Sequence, residues 1–272
     1  MRSIFLVTFL LLLSECVLAQ TSENRAEPKE AVLIIGSELS SGDESKKRME
    51  DIAEILKENN YVIHRFYSPR DNWNKIKKAA LNASIFIYNG HGTELGLDGG
   101  YGGLVLNDFI SAQTIVDELE FKNNPLVIFQ SVCGGAGSSA ADYYEIDLEE
   151  AKERVIGSAK PFFLAGASAY YANNYFGGVD DFLKEFLSGK SLVESFELSC
   201  FMWTQIEVIE ALNDSDLNRD LNFGIAYSVE DEDDESVKKK NKKKHLEPKD
   251  YNIAFIGNPE LTVSQIQLLS NK

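Results

Sequence analysis

Two stretches of the chain run from an apolar segment into a residue type that does covalent chemistry. Ile85-Phe-Ile-Tyr-Asn-Gly-His-Gly-Thr-Glu94 ends on a histidine held between two glycines, and Leu126-Val-Ile-Phe-Gln-Ser-Val-Cys-Gly-Gly-Ala-Gly-Ser-Ser139 reaches a cysteine and then glycines. His91 is one of three histidines in the chain. A histidine kept for packing belongs inside an apolar run, whereas one just past its end, on glycine-flanked backbone, is placed for access. A cysteine at a strand end, followed by amides free to turn outward, meets a positive local field that favours the thiolate. A histidine on a neighbouring strand end can take the thiol proton and return it to a leaving amine. Glycines let main-chain N–H groups approach a developing oxyanion with no side chain in the way.

Such a pair needs a scaffold that brings two strand ends to one edge. Ala31-Val-Leu-Ile-Ile-Gly36 is a continuous apolar run of the kind buried in parallel sheets. Asp43 to Asn59 carries Met49, Ile52, Ile55 and Leu56 at helical spacing. The pattern continues with a strand over 61–67, a helix over 71–81, a strand over 85–88, a glycine-rich loop to Gly103, a helix around 111–119 and a strand over 125–130. Beyond these it predicts a helix around 148–156, a strand over 162–167, helices around 179–187 and 192–212, and a last strand in Tyr251-Asn-Ile-Ala-Phe-Ile-Gly-Asn-Pro259. Strands alternating with helices predict an α/β doubly wound, mostly parallel sheet with helices on both faces and ligand chemistry at the carboxyl ends of the strands. The separation of His91 from Cys133 leaves room for one helix and one strand, as a single crossover requires, so adjacent parallel strands would present both groups together.

At these residues the chain resembles the caspase, legumain, clostripain and gingipain superfamily of cysteine peptidases, in which one apolar strand ends in His-Gly and the next in the catalytic cysteine. Tyr88-Asn-Gly-His-Gly92 carries the first element and Phe129-Gln-Ser-Val-Cys-Gly-Gly135 the second. The caspases' own Gln-Ala-Cys signature fits loosely, because Ser131 and Val132 separate Gln130 from Cys133. The resemblance covers 31–187 and the final strand, and the leader described below points to the gingipain or clostripain side. It implies a caspase-like fold, a His91 general base, a Cys133 nucleophile and an oxyanion hole made by the amides of Gly92 and Cys133. It also implies a pocket for one strongly selected substrate side chain, formed partly by the loop after the strand that follows the cysteine. Here that loop is 167–174, which makes Ser168 and Tyr170, together with Gln130, substrate-binding candidates. Some relatives that prefer basic residues carry an acid two positions before the cysteine, where this chain has Ser131; Asp98, Asp108 and Asp142 are then the candidate sources of a pocket charge.

The 272 residues, 44% hydrophobic and 26% charged, suffice for one sizeable domain and exclude disordered and collagen-like classes. Residues 1–19 show a positive start, an apolar core and a small final residue, which predicts a cleaved secretory signal. A polar leader over 20–30 and one domain over 31–272 follow, with a secreted, periplasmic or extracellular location. No later apolar run reaches membrane-spanning length. A formal charge of −16 disfavours nucleic acid and anionic membranes; the resemblance to the cysteine peptidases implies a protein or peptide substrate as the partner. Over 213–250 the composition changes, and Glu230-Asp-Glu-Asp-Asp-Glu235 is followed by Lys238-Lys-Lys-Asn-Lys-Lys-Lys244. Charge blocks of this kind predict a solvated loop insertion, with the lysine run as a processing site and His245 exposed at its edge. No His or Cys pairs recur at metal-ligand spacing, so no cofactor is required, and the acidic run lacks the spaced ligands that hold Ca²⁺ in an EF-hand.

Other readings compete. A catalytically inactive secreted binding module of the same fold, with Cys133 paired to Cys200 or merely buried, keeps the architecture and drops the chemistry. Gly90-His-Gly-Thr-Glu-Leu-Gly96 looks like a phosphate loop but has one residue too many for the dinucleotide fingerprint. Gly137-Ser-Ser-Ala-Ala141 lacks the closing glycine that a serine-hydrolase turn around Ser139 would need. His64, within a strand beside Arg65, reads as structural.

Overall fold

The computed structural model describes residues 29–37, 42–174, 178–200, 204–217, 220–228 and 249–269. The expected secretory signal, the charge blocks over 230–244 and His245 lie outside the described residues. Three apolar runs form the central strands β1 (Lys29–Ile35), β3 (Ala83–Asn89) and β6 (Leu126–Gln130), flanked by β2 (Tyr61–Tyr67) and β7 (Ala169–Asn173). Between β3 and β6 a small hairpin, β4 (Leu104–Val105) with β5 (Phe109–Ile110), precedes a helix. The strands β8 (Thr204–Leu212), β9 (Leu221–Ser228) and β10 (Asp250–Gly257) complete one sheet in the order β2-β1-β3-β6-β7-β10-β9-β8. The first five of these neighbours are parallel and the last three join antiparallel.

Helices cover both faces, which is why β3 and β6 are buried along their whole length. On one face lie α1 (Gly42–Glu58), α5 (Gly178–Leu187), α6 (Leu192–Ser199) and α7 (Val263–Leu269). On the other lie α2 (Trp73–Ala80), α3 (Ala112–Glu118) and α4 (Leu148–Leu164). The chain winds outward from β1 to β2, then crosses back to β3 on the far side of β1, so the expected doubly wound α/β architecture is present and agrees with a caspase-like arrangement. Local chemistry sets the helix starts: Asn72, Ser111 and Asp147 each accept from an amide of the first turn, and Ser191 with Glu194 forms a reciprocal capping box. Among the described residues no helix is long and apolar enough to cross a membrane.

Three boundaries differ from the sequence reading. The run 162–167 is not a strand: α4 continues through Pro161 to Leu164, and Phe162 packs against Phe86 and Phe129 at 5.7 and 5.5 Å between ring centres. A short apolar run fits a buried helix face as well as a strand, and here the aromatic cluster decides. The strand begins only at Ala169. Residues 192–212 split into α6 and β8, whose β-branched Ile206, Val208 and Ile209 pair with β9. The stretch 213–250, read as a loop insertion, contains β9 within the sheet.

Asp180, in the first turn of α5, gives a pH signature. Burial raises its carboxyl to about 6, with Asp51 and Asp181 adding to the shift against the cations Lys184 and Arg48. The folded state therefore takes up this proton before the unfolded chain does, and stability rises as pH falls from about 6 towards the ordinary carboxylate value near 4. Asp180→Asn should melt above the parent protein at pH 7.5, and the gap should close near pH 4 in a pH series of thermal unfolding curves.

Candidate active site

His91 lies beyond the end of β3 and Cys133 beyond the end of β6, and these strands are parallel neighbours with Asn89 opposite Gln130. The side-chain amide of Asn89 donates to the Gln130 carbonyl at 2.8 Å, tying the two ends together. The glycines beside His91 serve close approach. A Cβ at Gly90 would fall 2.2 Å from the Tyr88 hydroxyl, and one at Gly92 would fall 1.8 Å from the Cys133 carbonyl oxygen. Buried Tyr88 accepts from the Val105 amide at 3.0 Å and has the His91 carbonyl within donating distance at 3.0 Å, which fixes the backbone of the histidine loop. His91 itself is exposed and Cys133 is half-buried. Among the described residues the amides of Gly92 and Cys133, the expected oxyanion donors, donate to no backbone acceptor.

The cysteine loop is held on three sides. Ser131 adopts the left-handed region at φ 53° while its amide extends the ladder to the Asn173 carbonyl at 3.0 Å. Gly134 and Gly137, at φ 74° and 115°, make the following turns, and Gly134 lies against the Tyr101 ring. Tyr170 donates to the Gly135 carbonyl at 2.9 Å from beneath, and Ser138 exchanges two hydrogen bonds with the Tyr251 backbone, at 2.8 and 2.9 Å. From the side, Arg154 of α4 reaches the Gly137 carbonyl at 3.2 Å, both oxygens of Asp142 at 2.9 Å and Glu150 at 2.7 Å, and its guanidinium stands 4.8 Å over the Tyr101 ring. Burial would lower its pKa, but Asp142, Tyr101 and Glu150 outweigh that and hold the charge.

A cavity of about 310 Å³ opens beside the cysteine, lined by Ser131, Cys133, Ser138, Ser139, Ala140, Asn174, Asp250 and Asn252. A larger cavity of about 580 Å³ sits at the turn of the β8–β9 hairpin, around Asp214 and Asp220. That turn lies at the opposite edge of the sheet, where β10 ends against the start of β7.

The substrate-binding candidates are not gathered there. Gln130 is fully buried below the cavity, and neither atom of its amide has a hydrogen-bond partner. Tyr170 supports the glycine loop from within the core, and the Asp142 carboxylate is committed to Arg154 and the Ser139 amide. Ser168 is at the far edge, donating to the Asn124 carbonyl at 2.6 Å, because the strand that follows the cysteine starts after it rather than before it. Asn174, the last residue of the candidate loop 167–174, does line the cavity, whereas Asp250 and Asn252 were missed. The sequence signal for these two was their place at the start of the last apolar strand. His64 pairs with Glu30 at 2.9 Å across β1 and β2, a structural contact. Cys133 and Cys200 are both free thiols, each half-buried. Burial pushes the Cys200 thiol up to about 11, against a hydrogen bond from Thr204. Among the described residues no three His, Cys, Asp or Glu side chains gather as a metal site.

Two substitutions test this geometry. Gly92→Ala has no room for its methyl against the Cys133 carbonyl and should cost upward of about 2 kcal/mol by urea unfolding. Arg154→Met leaves the half-buried Asp142 carboxylate without its cation and should cost about 2 kcal/mol, with Arg154→Lys intermediate because one ammonium cannot reach Asp142, Glu150 and Gly137 together.

No family model matches the chain, and no curated protein matches it significantly.

Proposed function

We propose that the protein is a caspase-like cysteine endopeptidase acting through Cys133 and His91. The observation that carries this reading is the close backbone approach of Gly92 to Cys133, which follows from a histidine and a cysteine lying just past the ends of neighbouring parallel strands, with Cys133 lining a cavity. His91 takes the Cys133 proton; the sulfur attacks the peptide carbonyl, and the carbonyl electron pair moves to an oxyanion facing the Gly92 and Cys133 amides. Collapse of that intermediate breaks the C–N bond as the imidazolium gives its proton to the leaving amine. Water, deprotonated by His91, then hydrolyses the thioester and returns the thiol. The resemblance of the His-Gly and Cys-Gly strand ends to the caspase and gingipain superfamily supports the same roles. Export of the protein is a further part of the reading and rests on residues 1–19.

Alkylation mapped by mass spectrometry tests the dyad. At pH 7.5 iodoacetamide should label Cys133 far faster than Cys200, whose thiol lies near 11. His91→Ala should slow labelling of Cys133 and, like Cys133→Ala, reduce cleavage of a peptide library by about 10³-fold or more. Equal labelling of both cysteines, or labelling indifferent to position 91, refutes the dyad.

A further inference from the structure

The Tyr88 hydroxyl stands where β3, the β4–β5 hairpin and the histidine loop meet. Tyr88 is fully buried, and its oxygen accepts from the Val105 amide of β4 at 3.0 Å. The same oxygen has two carbonyls within donating distance, that of His91 at 3.0 Å and that of Val105 at 3.2 Å. A phenol carries one proton, so it serves one of these acceptors at a time. Burial raises the phenol, which keeps that proton in place through the neutral range. The Val105 carbonyl already accepts the Ser37 amide at 3.2 Å, which makes the shorter contact, to His91, the better use of the proton. Space around the hydroxyl is tight, since a Cβ at Gly36 would lie 3.0 Å from it and one at Gly90 2.2 Å.

The hairpin has an anchor of its own on the other side. Asn107, at the turn between β4 and β5, donates from its backbone amide to buried Asp71 at 3.0 Å, and its carboxamide donates to Asp71 and to the Pro69 carbonyl. Asp71 follows β2 and Ser37 follows β1, so the hairpin lies across the ends of β2, β1 and β3. Its place is set at Asn107 and handed to the histidine loop at Tyr88.

We propose that Tyr88 is a positioning residue for His91, whose single hydroxyl proton fixes the histidine carbonyl at a place set by the β4–β5 hairpin. Its effect on catalysis rests on the peptidase reading. Tyr88 acts through the His91 peptide and not on the reacting atoms. Displacement of the hairpin moves the Val105 amide, the hydroxyl turns to the Val105 carbonyl, and the His91 carbonyl loses its tie. The imidazole is then held less closely to the geometry that proton transfer from Cys133 requires.

The test compares the full-length parent with Tyr88→Phe, Asn107→Ala and Tyr171→Phe. Tyr171 carries a buried hydroxyl on the opposite face of the sheet, bonded to Ser199 at 2.8 Å, so its loss controls for stability alone. Iodoacetamide labelling of Cys133 is followed as a function of pH, kcat and KM are measured on a peptide library, and the His91 ring signals are recorded by NMR. Tyr88→Phe should lose about tenfold in labelling rate and in kcat, the size of one buried hydrogen bond, with KM nearly unchanged and the pH profile displaced. Asn107→Ala should change the same quantities in the same direction by a smaller factor, while Tyr171→Phe should match the parent. An unchanged kcat and pH profile in Tyr88→Phe, with the parent still dependent on His91, overturns the positioning role and leaves the peptidase reading intact. A loss in Tyr88→Phe with none in Asn107→Ala overturns the part given to the hairpin. Equal losses in Tyr171→Phe overturn the proposal in favour of general destabilisation. His91 ring signals that move in Tyr88→Phe and Asn107→Ala but not in Tyr171→Phe, in a protein that cuts no peptide, support the positioning and overturn the peptidase reading.

Discussion

The backbones of β3 and β6 leave the sheet side by side, and the carbonyl of Cys133 occupies the space where any side chain at position 92 would go. That contact is possible only with a glycine, and the rest of the site is arranged around it. It sets how close the imidazole-bearing loop comes to the thiol-bearing loop, and it depends on the parallel register that puts Asn89 opposite Gln130. Tyr88 then holds the histidine loop from below through the His91 carbonyl and the Val105 amide, with Gly90 close above its hydroxyl. The two glycines at 90 and 92 thus answer to space, not to left-handed backbone, which is found instead at Ser131, Gly134 and Gly137.

The polar groups around the cysteine loop divide into those that support it and those left open. Arg154, Asp142, Tyr170 and the Ser138–Tyr251 pair support it, with partners at hydrogen-bond distance in a poorly solvated setting where losing one partner is costly. The Ser131 hydroxyl and the Asn174 side-chain carbonyl are buried in the cavity lining without a partner, and exposed Asp250 lines the same cavity. A loop rich in glycine would not keep one conformation by itself, because each glycine adds chain entropy that folding must overcome. The buried guanidinium spanning Gly137, Asp142 and Glu150 supplies the missing constraint, and it does so from α4, an element that also carries the aromatic cluster of the core.

The central strands and their order of appearance were readable directly, because fully buried parallel strands leave unbroken apolar runs such as 31–36, 85–88 and 126–130. Where the apolar pattern fitted two periods, the reading failed. Phe162 and Phe163 belong to α4 because ring packing against Phe86 and Phe129 stabilises a helix through Pro161, and nothing local announces that. The error carried forward: starting the next strand too early put Ser168 at the wrong edge of the sheet and drew attention away from β10.

The sequence by itself determined that a histidine and a cysteine each stand just past an apolar run among glycines, since residue type, glycine flanks and the preceding runs are local properties of His91 and Cys133. It also determined the α/β alternation that brings strand ends to a common edge. Tertiary structure alone decided strand direction and neighbourhood. An apolar strand reads the same in either direction, so only the antiparallel pairing of β10 with β7 carries Asp250 and Asn252 to the cysteine, and only the fold commits Asp142 to Arg154 instead. Long-range pairing and the sharing of buried charges depend on which surfaces meet, and that information is absent from any short window of residues.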